Sequence, residues 1–122
     1  MDHRTLAAER CVACRPGAPA ATEAETREAL AALRGWRLEE HDGVPRLVRT
    51  FAFPDFARAL EFTNRVGAAA EEQGHHPALL TEWARVTVAW WTHAIGGLHR
   101  NDFVMAARTD ALYEPPSTAK PV

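Results

Sequence analysis

Three histidines and two carboxylates gather in the second half of this 122-residue chain. Glu71, His75, His76, His93 and Asp102 lie within Glu71-Glu72-Gln73-Gly74-His75-His76-Pro77, then Thr92-His93, then Asp102. Imidazole gives and takes a proton near neutral pH without any shift of its pKa. Several imidazoles beside carboxylates, with no Ser or Cys nucleophile between them, point to general acid–base chemistry rather than covalent catalysis.

Each of these residues also has a plainer reading. His75 and His76 leave a helix end in extended backbone, because Pro77 disfavours the helical conformation at His76. Successive side chains then point apart, so the two rings should do different jobs; a surface loop with no role would carry the same sequence. His93 is expected at the end of a central strand, on the face that also shows Trp91, as one wall of a ligand pocket. Its plainer reading is a satisfied edge histidine. Asp102 falls in the first turn of a helix, where free N–H groups and the dipole favour a carboxylate. Helix capping alone would account for it, although position 99 of the capping box holds His99 rather than Ser, Thr, Asp or Asn. Glu71 is either a solvated surface carboxylate or a group that orients a nearby imidazole.

A metal is the chief chemical competitor, since three His and a carboxylate suit zinc or iron. The spacing opposes it. No His-x-x-x-His on a helix and no His-x-His on a strand brings two imidazoles to one side, so no metal site is expected. Gly96-Gly97 is too brief for a phosphate cradle. Cys11 and Cys14 form a C-x-x-C, but no second pair completes a zinc site and no strand precedes it as a redox motif would require. They are expected to be reduced, non-catalytic thiols.

The elements that must position these groups follow from period and punctuation. Residues 1–21 are rich in Ala, Pro and Gly and read as a flexible N-terminal extension, with a short helix available to Met1–Arg10. Thr22 and Glu25 form a capping box for a helix that stops at Gly35. Trp36 to His41 alternates as a half-buried strand. Asp42-Gly43 signals a hairpin, lengthened by Val44-Pro45, and the partner strand runs from Arg46 to Phe53. Pro54-Asp55 opens the best periodic helix, to Gln73, with Phe56, Ala59, Leu60, Thr63, Val66, Gly67 and Ala70 at helical spacing and Gly74 as its stop. Leu79–Trp83 and Val86–His93 make a second hairpin, and a last helix runs from about Leu98 to Leu112. Pro115-Pro116 ends it, leaving a tail over 114–122. One domain, residues 22–113, is expected. The order helix, strand, strand, helix, strand, strand, helix favours an α+β fold: a four-stranded antiparallel sheet with three helices on one face.

Bulk properties exclude several classes. Fourteen basic and sixteen acidic residues give a net charge of −2, without the basic footprint of a nucleic-acid binder. The apolar runs are too short to cross a bilayer. Met1-Asp2-His3-Arg4 lacks the layout of a signal peptide, so a cytoplasmic location is expected.

The combined pattern resembles the pterin-4a-carbinolamine dehydratases. The resemblance rests on Glu71-x-x-x-His75-His76-Pro77, Trp83, Thr92-His93 and Gly97-Leu98-x-x-x-Asp102. Gly35-Trp36 and Arg49-x-Phe51-x-Phe53-x-Asp55-Phe56 add to it, and the likeness spans about Leu30 to Asp110. It implies the same sheet with three helices on one side. It also implies loss of water from 4a-hydroxytetrahydropterin to give quinonoid dihydropterin, without metal or cofactor. On this analogy His75, His76 and His93 line the pterin site, with His75 and His93 as the proton-transfer pair and His76 mainly a substrate contact. Glu71 and Asp102 would orient them or bond the pterin, and Trp91 and Thr92 would complete the wall. The resemblance further implies a homodimer or homotetramer and a functional link to an aromatic amino acid hydroxylase. Many members carry Ser or Thr where His99 stands, so a weaker helix cap is expected, by ~1 kcal/mol. Some relatives serve as dimerisation partners of a transcription factor, and some catalytically dead ones assist assembly of a carbon-fixing enzyme. The dead ones are expected to have lost the histidines, and this chain keeps all three.

Overall fold

The computed structural model describes residues 1–13 and 15–113; Cys14 and the expected tail over 114–122 lie outside the described residues. The strands β1 (Arg37–His41), β2 (Val44–Ala52), β3 (Ala78–Glu82) and β4 (Arg85–Trp90) form one antiparallel sheet in the order β1-β2-β4-β3. The helices are α1 (His3–Ala8), α2 (Glu23–Ala32), α3 (Phe56–Gln73) and α4 (Arg100–Leu112). The expected α+β fold is what forms.

Both hairpins close on two residues. Asp42 and Gly43 have φ of 52° and 80°, the paired positive values of a type I′ turn whose twist matches the strands. Val44 and Pro45 already pair with His41 and Glu40, so they belong to β2 and do not lengthen the turn. In the second hairpin Glu82 pairs with Arg85 across Trp83-Ala84, one residue earlier than the sequence indicated.

Register fixes the core. Leu47, Arg49 and Phe51 of β2 lie opposite Trp90, Val88 and Val86 of β4. The apolar members of this face join the helices' buried residues in one cluster. Helix α3 contributes Ala59, Phe62, Val66 and Ala70, spaced by three or four residues as one helical stripe requires. Phe56 and Leu60, expected on that stripe, are half exposed on its flank instead. Its caps are Asp55, whose carboxylate accepts the Arg58 amide at 2.8 Å, and Gly74, which adopts the left-handed conformation at φ 64°.

Helix α2 has the expected capping box, Thr22 with Glu25, but ends at Ala32 without a left-handed residue. Gly35 is not its stop. A Cβ at Gly35 would meet the Arg49 guanidinium at 2.6 Å, so the glycine is there to admit that side chain. Arg49 in turn donates to Asp110 at 2.6 Å, and Asp110 also accepts from Trp36 Nε1 and meets His3 Nε2.

Helix α4 is buried continuously from Asn101 to Ala107, because α1 packs along it and places Leu6 in the core. Part of the stretch read as a flexible extension is therefore core. A helix covered all round shows no amphipathic stripe, so its sequence gives no sign of which neighbour covers it.

Candidate active site

Helix α3 ends at Gln73, and Gly74 turns the chain so that His75 points inward. Its amide donates to Ala70 O at 3.1 Å, and its side chain is 9 % exposed. The imidazole stacks on Trp90 of β4, with ring centroids 5.8 Å apart and planes within 6°. Its Nε2 lies 2.6 Å from Asp102 Oδ1.

Asp102 is fully buried in the first turn of α4. Its Oδ2 accepts the Thr92 hydroxyl at 2.8 Å and the His99 amide at 2.9 Å. An ionised carboxylate only accepts hydrogen bonds. The His75 nitrogen facing it is therefore the donor, and in the neutral ring the other nitrogen, Nδ1, carries the lone pair. This gives an imidazole held in one tautomer by a buried carboxylate.

His99 caps α4 itself. Its Nδ1 accepts the Asn101 amide at 3.0 Å while its own amide reaches Asp102. The weaker cap expected from a histidine at this place is corrected by that contact: the ring nitrogen does the work of a hydroxyl oxygen.

His93 is not on a strand. Strand β4 stops at Trp90, and Thr92 closes onto Gly97 through a two-way bridge, Thr92 N to Gly97 O at 2.8 Å and Gly97 N to Thr92 O at 3.4 Å. The loop between them is a single 3₁₀ turn, His93–Ile95, completed by Gly96 at φ 59°. His93 is exposed on this turn, with its ring 4.5 Å from that of Trp91. The Arg46 guanidinium lies over the other part of this pair, 3.9 Å from the Trp91 centroid. Its Nε is buried with no hydrogen-bond partner among the described residues.

The histidine-carboxylate group thus resolves into three parts. His75, Asp102 and Thr92 form a buried chain of hydrogen bonds. His76 is exposed and meets Glu71 Oε1 at 3.2 Å. His93 packs with Trp91. His76 follows His75 and His93 follows Thr92, so each exposed imidazole starts one Cα step, about 3.8 Å, from an end of the buried chain. The neighbouring rings of His75 and His76 take different partners, Asp102 and Glu71. Among the described residues no three His, Cys, Asp or Glu side chains group to hold a metal ion.

Trp90 and Arg46 were not singled out by sequence. The alternation of β4 could have found Trp90, since it shares a face with Val86 and Val88. Nothing local marks Arg46, which reaches Trp91 across the sheet.

The family model for pterin 4 alpha carbinolamine dehydratase matches residues 19–112. A protein of Gloeobacter violaceus, provisionally named pterin-4-alpha-carbinolamine dehydratase 1, is 59% identical over 107 residues, 88% of this chain and 92% of the other. A protein of Syntrophotalea carbinolica with the same provisional family name is 57% identical over 109 residues, 89% of this chain and 97% of its own. A solved transcriptional coactivator/pterin dehydratase from Brucella melitensis has a TM-score of 0.69 and 36% identity, covering 77% of this chain and 98% of that one. A pterin dehydratase-like protein described as a RuBisCO assembly factor in the alpha-carboxysome is more distant. Its TM-score is 0.56 and its identity 28%, over 67% of this chain and 93% of its own.

Proposed function

The chain belongs to the pterin 4 alpha carbinolamine dehydratase family, and from that premise we propose that it dehydrates 4a-hydroxytetrahydropterin to quinonoid dihydropterin by imidazole acid–base catalysis. The observation that carries this reading is the buried His75–Asp102 contact at 2.6 Å, with Thr92 on the second oxygen. It prepares one imidazole as a base of fixed tautomer and leaves exposed imidazoles on either side.

The reaction removes the N5 proton, breaks the C4a–O bond and returns a proton to the departing hydroxyl, so that water leaves and an N5=C4a double bond forms. His75 takes the N5 proton through Nδ1, and Asp102 stabilises the imidazolium that results. His93 protonates the leaving hydroxyl. His76, held by Glu71, contacts the pterin. Trp91 offers a flat apolar wall to the bicyclic ring, and Thr92 and Asp102 orient the base. No metal or cofactor takes part in these steps.

The reading carries with it a cytoplasmic enzyme that recycles the tetrahydropterin of an aromatic amino acid hydroxylase. It also carries a homo-oligomer. Strand β3 is an edge of the sheet with Leu80 more than half exposed and Trp83 beyond it, whereas the opposite edge, β1, is lined with charge. No helix among the described residues is long and apolar enough to cross a membrane.

The test is turnover of 4a-hydroxytetrahydropterin by the purified chain, followed by dihydropterin absorbance. A rate above the uncatalysed one supports the reading. A second reading, a non-catalytic assembly or dimerisation factor, draws on the similarity to the RuBisCO assembly factor; it requires partner binding without dehydration.

A further inference from the structure

The His75–Asp102 distance depends on how the end of α3 sits against the start of α4. Gln73 closes α3 two residues before His75, and Asn101 precedes Asp102 in α4. One short run of main chain holds both. Cys11 N–H donates to Gln73 Oε1 at 2.9 Å. Val12 N–H donates to Asn101 Oδ1 at 3.0 Å, and Asn101 Nδ2 donates back to Val12 O at 2.6 Å. Just upstream, the Glu9 carboxylate pairs with Arg100 Nε at 2.8 Å, and the Glu9 carbonyl accepts Arg108 Nε at 2.8 Å. This run lies ahead of residue 19, where the family match begins.

Helix ends are where a helix opens most easily, because their terminal backbone groups lack intrahelical partners. An asparagine in a first turn usually faces water. Here Asn101 is 3 % exposed, and its amide makes a reciprocal pair with one backbone residue. Such a pair fixes both distance and direction, as a single bond does not.

We propose that residues 9–12 clamp the end of α3 to the start of α4, and that Gln73 and Asn101 are positioning residues for the dehydration. The clamp sets the His75–Asp102 contact by holding the residue on the near side of each partner. The proposal rests on the reading of that contact as part of the active site.

The experiment uses the full chain with Asn101→Ala, Asn101→Asp and Gln73→Ala. Steady-state dehydration gives kcat and KM. The downfield proton resonance of the His75 Nε2–H, held against Asp102, reports the contact without any need for activity. Asn101→Ala is expected to lower kcat about tenfold with KM little changed, since small misplacements of a reacting group cost rate rather than binding. Its His75 resonance should broaden. Asn101→Asp keeps the acceptor for Val12 N–H but sets a carboxylate oxygen against Val12 O, so both readouts should change at least as much as in Asn101→Ala. Gln73→Ala, on the other helix, should change both readouts in the same direction. A folded Asn101→Ala or Gln73→Ala protein with wild-type kcat and an unchanged His75 resonance overturns the clamp. If Asn101→Ala does not fold, Gln73→Ala decides it by the same criteria. If the wild-type chain shows no turnover the dehydratase reading fails on its own, and the resonance alone decides the clamp.

Discussion

His75 and Asp102 stand 27 residues apart in the chain and 2.6 Å apart in space, with the carboxylate fully buried and the imidazole almost so. Two further donors, the Thr92 hydroxyl and the His99 amide, share the second oxygen. Asp102→Asn keeps the shape of this group but turns one acceptor into a donor. It is expected to slow dehydration by about 10²–10⁴, the scale of losing a correctly set acid or base. It should also destabilise the fold by about 1–3 kcal/mol, because a buried donor loses its partner. Stopped-flow turnover and a denaturant midpoint measure the two effects separately.

The three imidazoles should separate by burial. His75→Ala and His93→Ala are each expected to lower kcat by about 10²–10⁴. His76→Ala should act mainly on KM. Of the three, only His75→Ala should lose appreciable stability, since His93 and His76 are exposed and surface substitutions stay within about 0.5 kcal/mol. Unchanged turnover in both His75→Ala and His93→Ala would refute the catalytic assignment.

His99 is expected to behave as a cap. Replacing it with Ala should cost about 1 kcal/mol, and replacing it with Ser, whose hydroxyl can accept the same amide, should recover most of that. Thermal midpoints of the two variants check it. A wild-type midpoint in His99→Ala would show that the ring nitrogen contributes nothing.

The Glu9–Arg100 pair gives a pH dependence with a defined sign. The hydrogen bond from Arg100 holds the Glu9 carboxyl below the usual carboxylate value. A group whose folded pKa is depressed stabilises the fold above its unfolded value, and that contribution disappears as pH falls through the folded one. Glu9→Gln should therefore lower the thermal midpoint at neutral pH and have no effect in strong acid. Both side chains are partly exposed, so the loss should stay under about 1 kcal/mol and shrink with salt.

Much of the fold was legible because its signals are local. The type I′ pair Asp42-Gly43, the Thr22 capping box and the Gly74 stop each rest on residues adjacent in sequence. The element order then left few arrangements for four strands. For the candidate site the residue types were legible but not how they group. Nothing near His93 says that β4 ends at Trp90, because the cause is a bridge from Thr92 to Gly97 that closes a turn. Likewise α3 looked amphipathic through Phe56 and Leu60, yet Phe62 is the residue that meets Phe51, at 4.9 Å between rings. The burial of Leu6 depends on a helix 94 residues later, from Arg100 onward. Contacts of that range leave no periodic trace in the chain.

Only four residues, Gly74 to Pro77, join α3 to β3. Of these, Gly74 is committed to a left-handed cap, Pro77 has a ring-locked φ, and His75 is wedged between Trp90 and Asp102. The connection has no slack. The entropy of aligning these rings is thus spent when the chain folds, not when a ligand arrives, and this rim should behave as a lock cut in advance rather than a hand that closes.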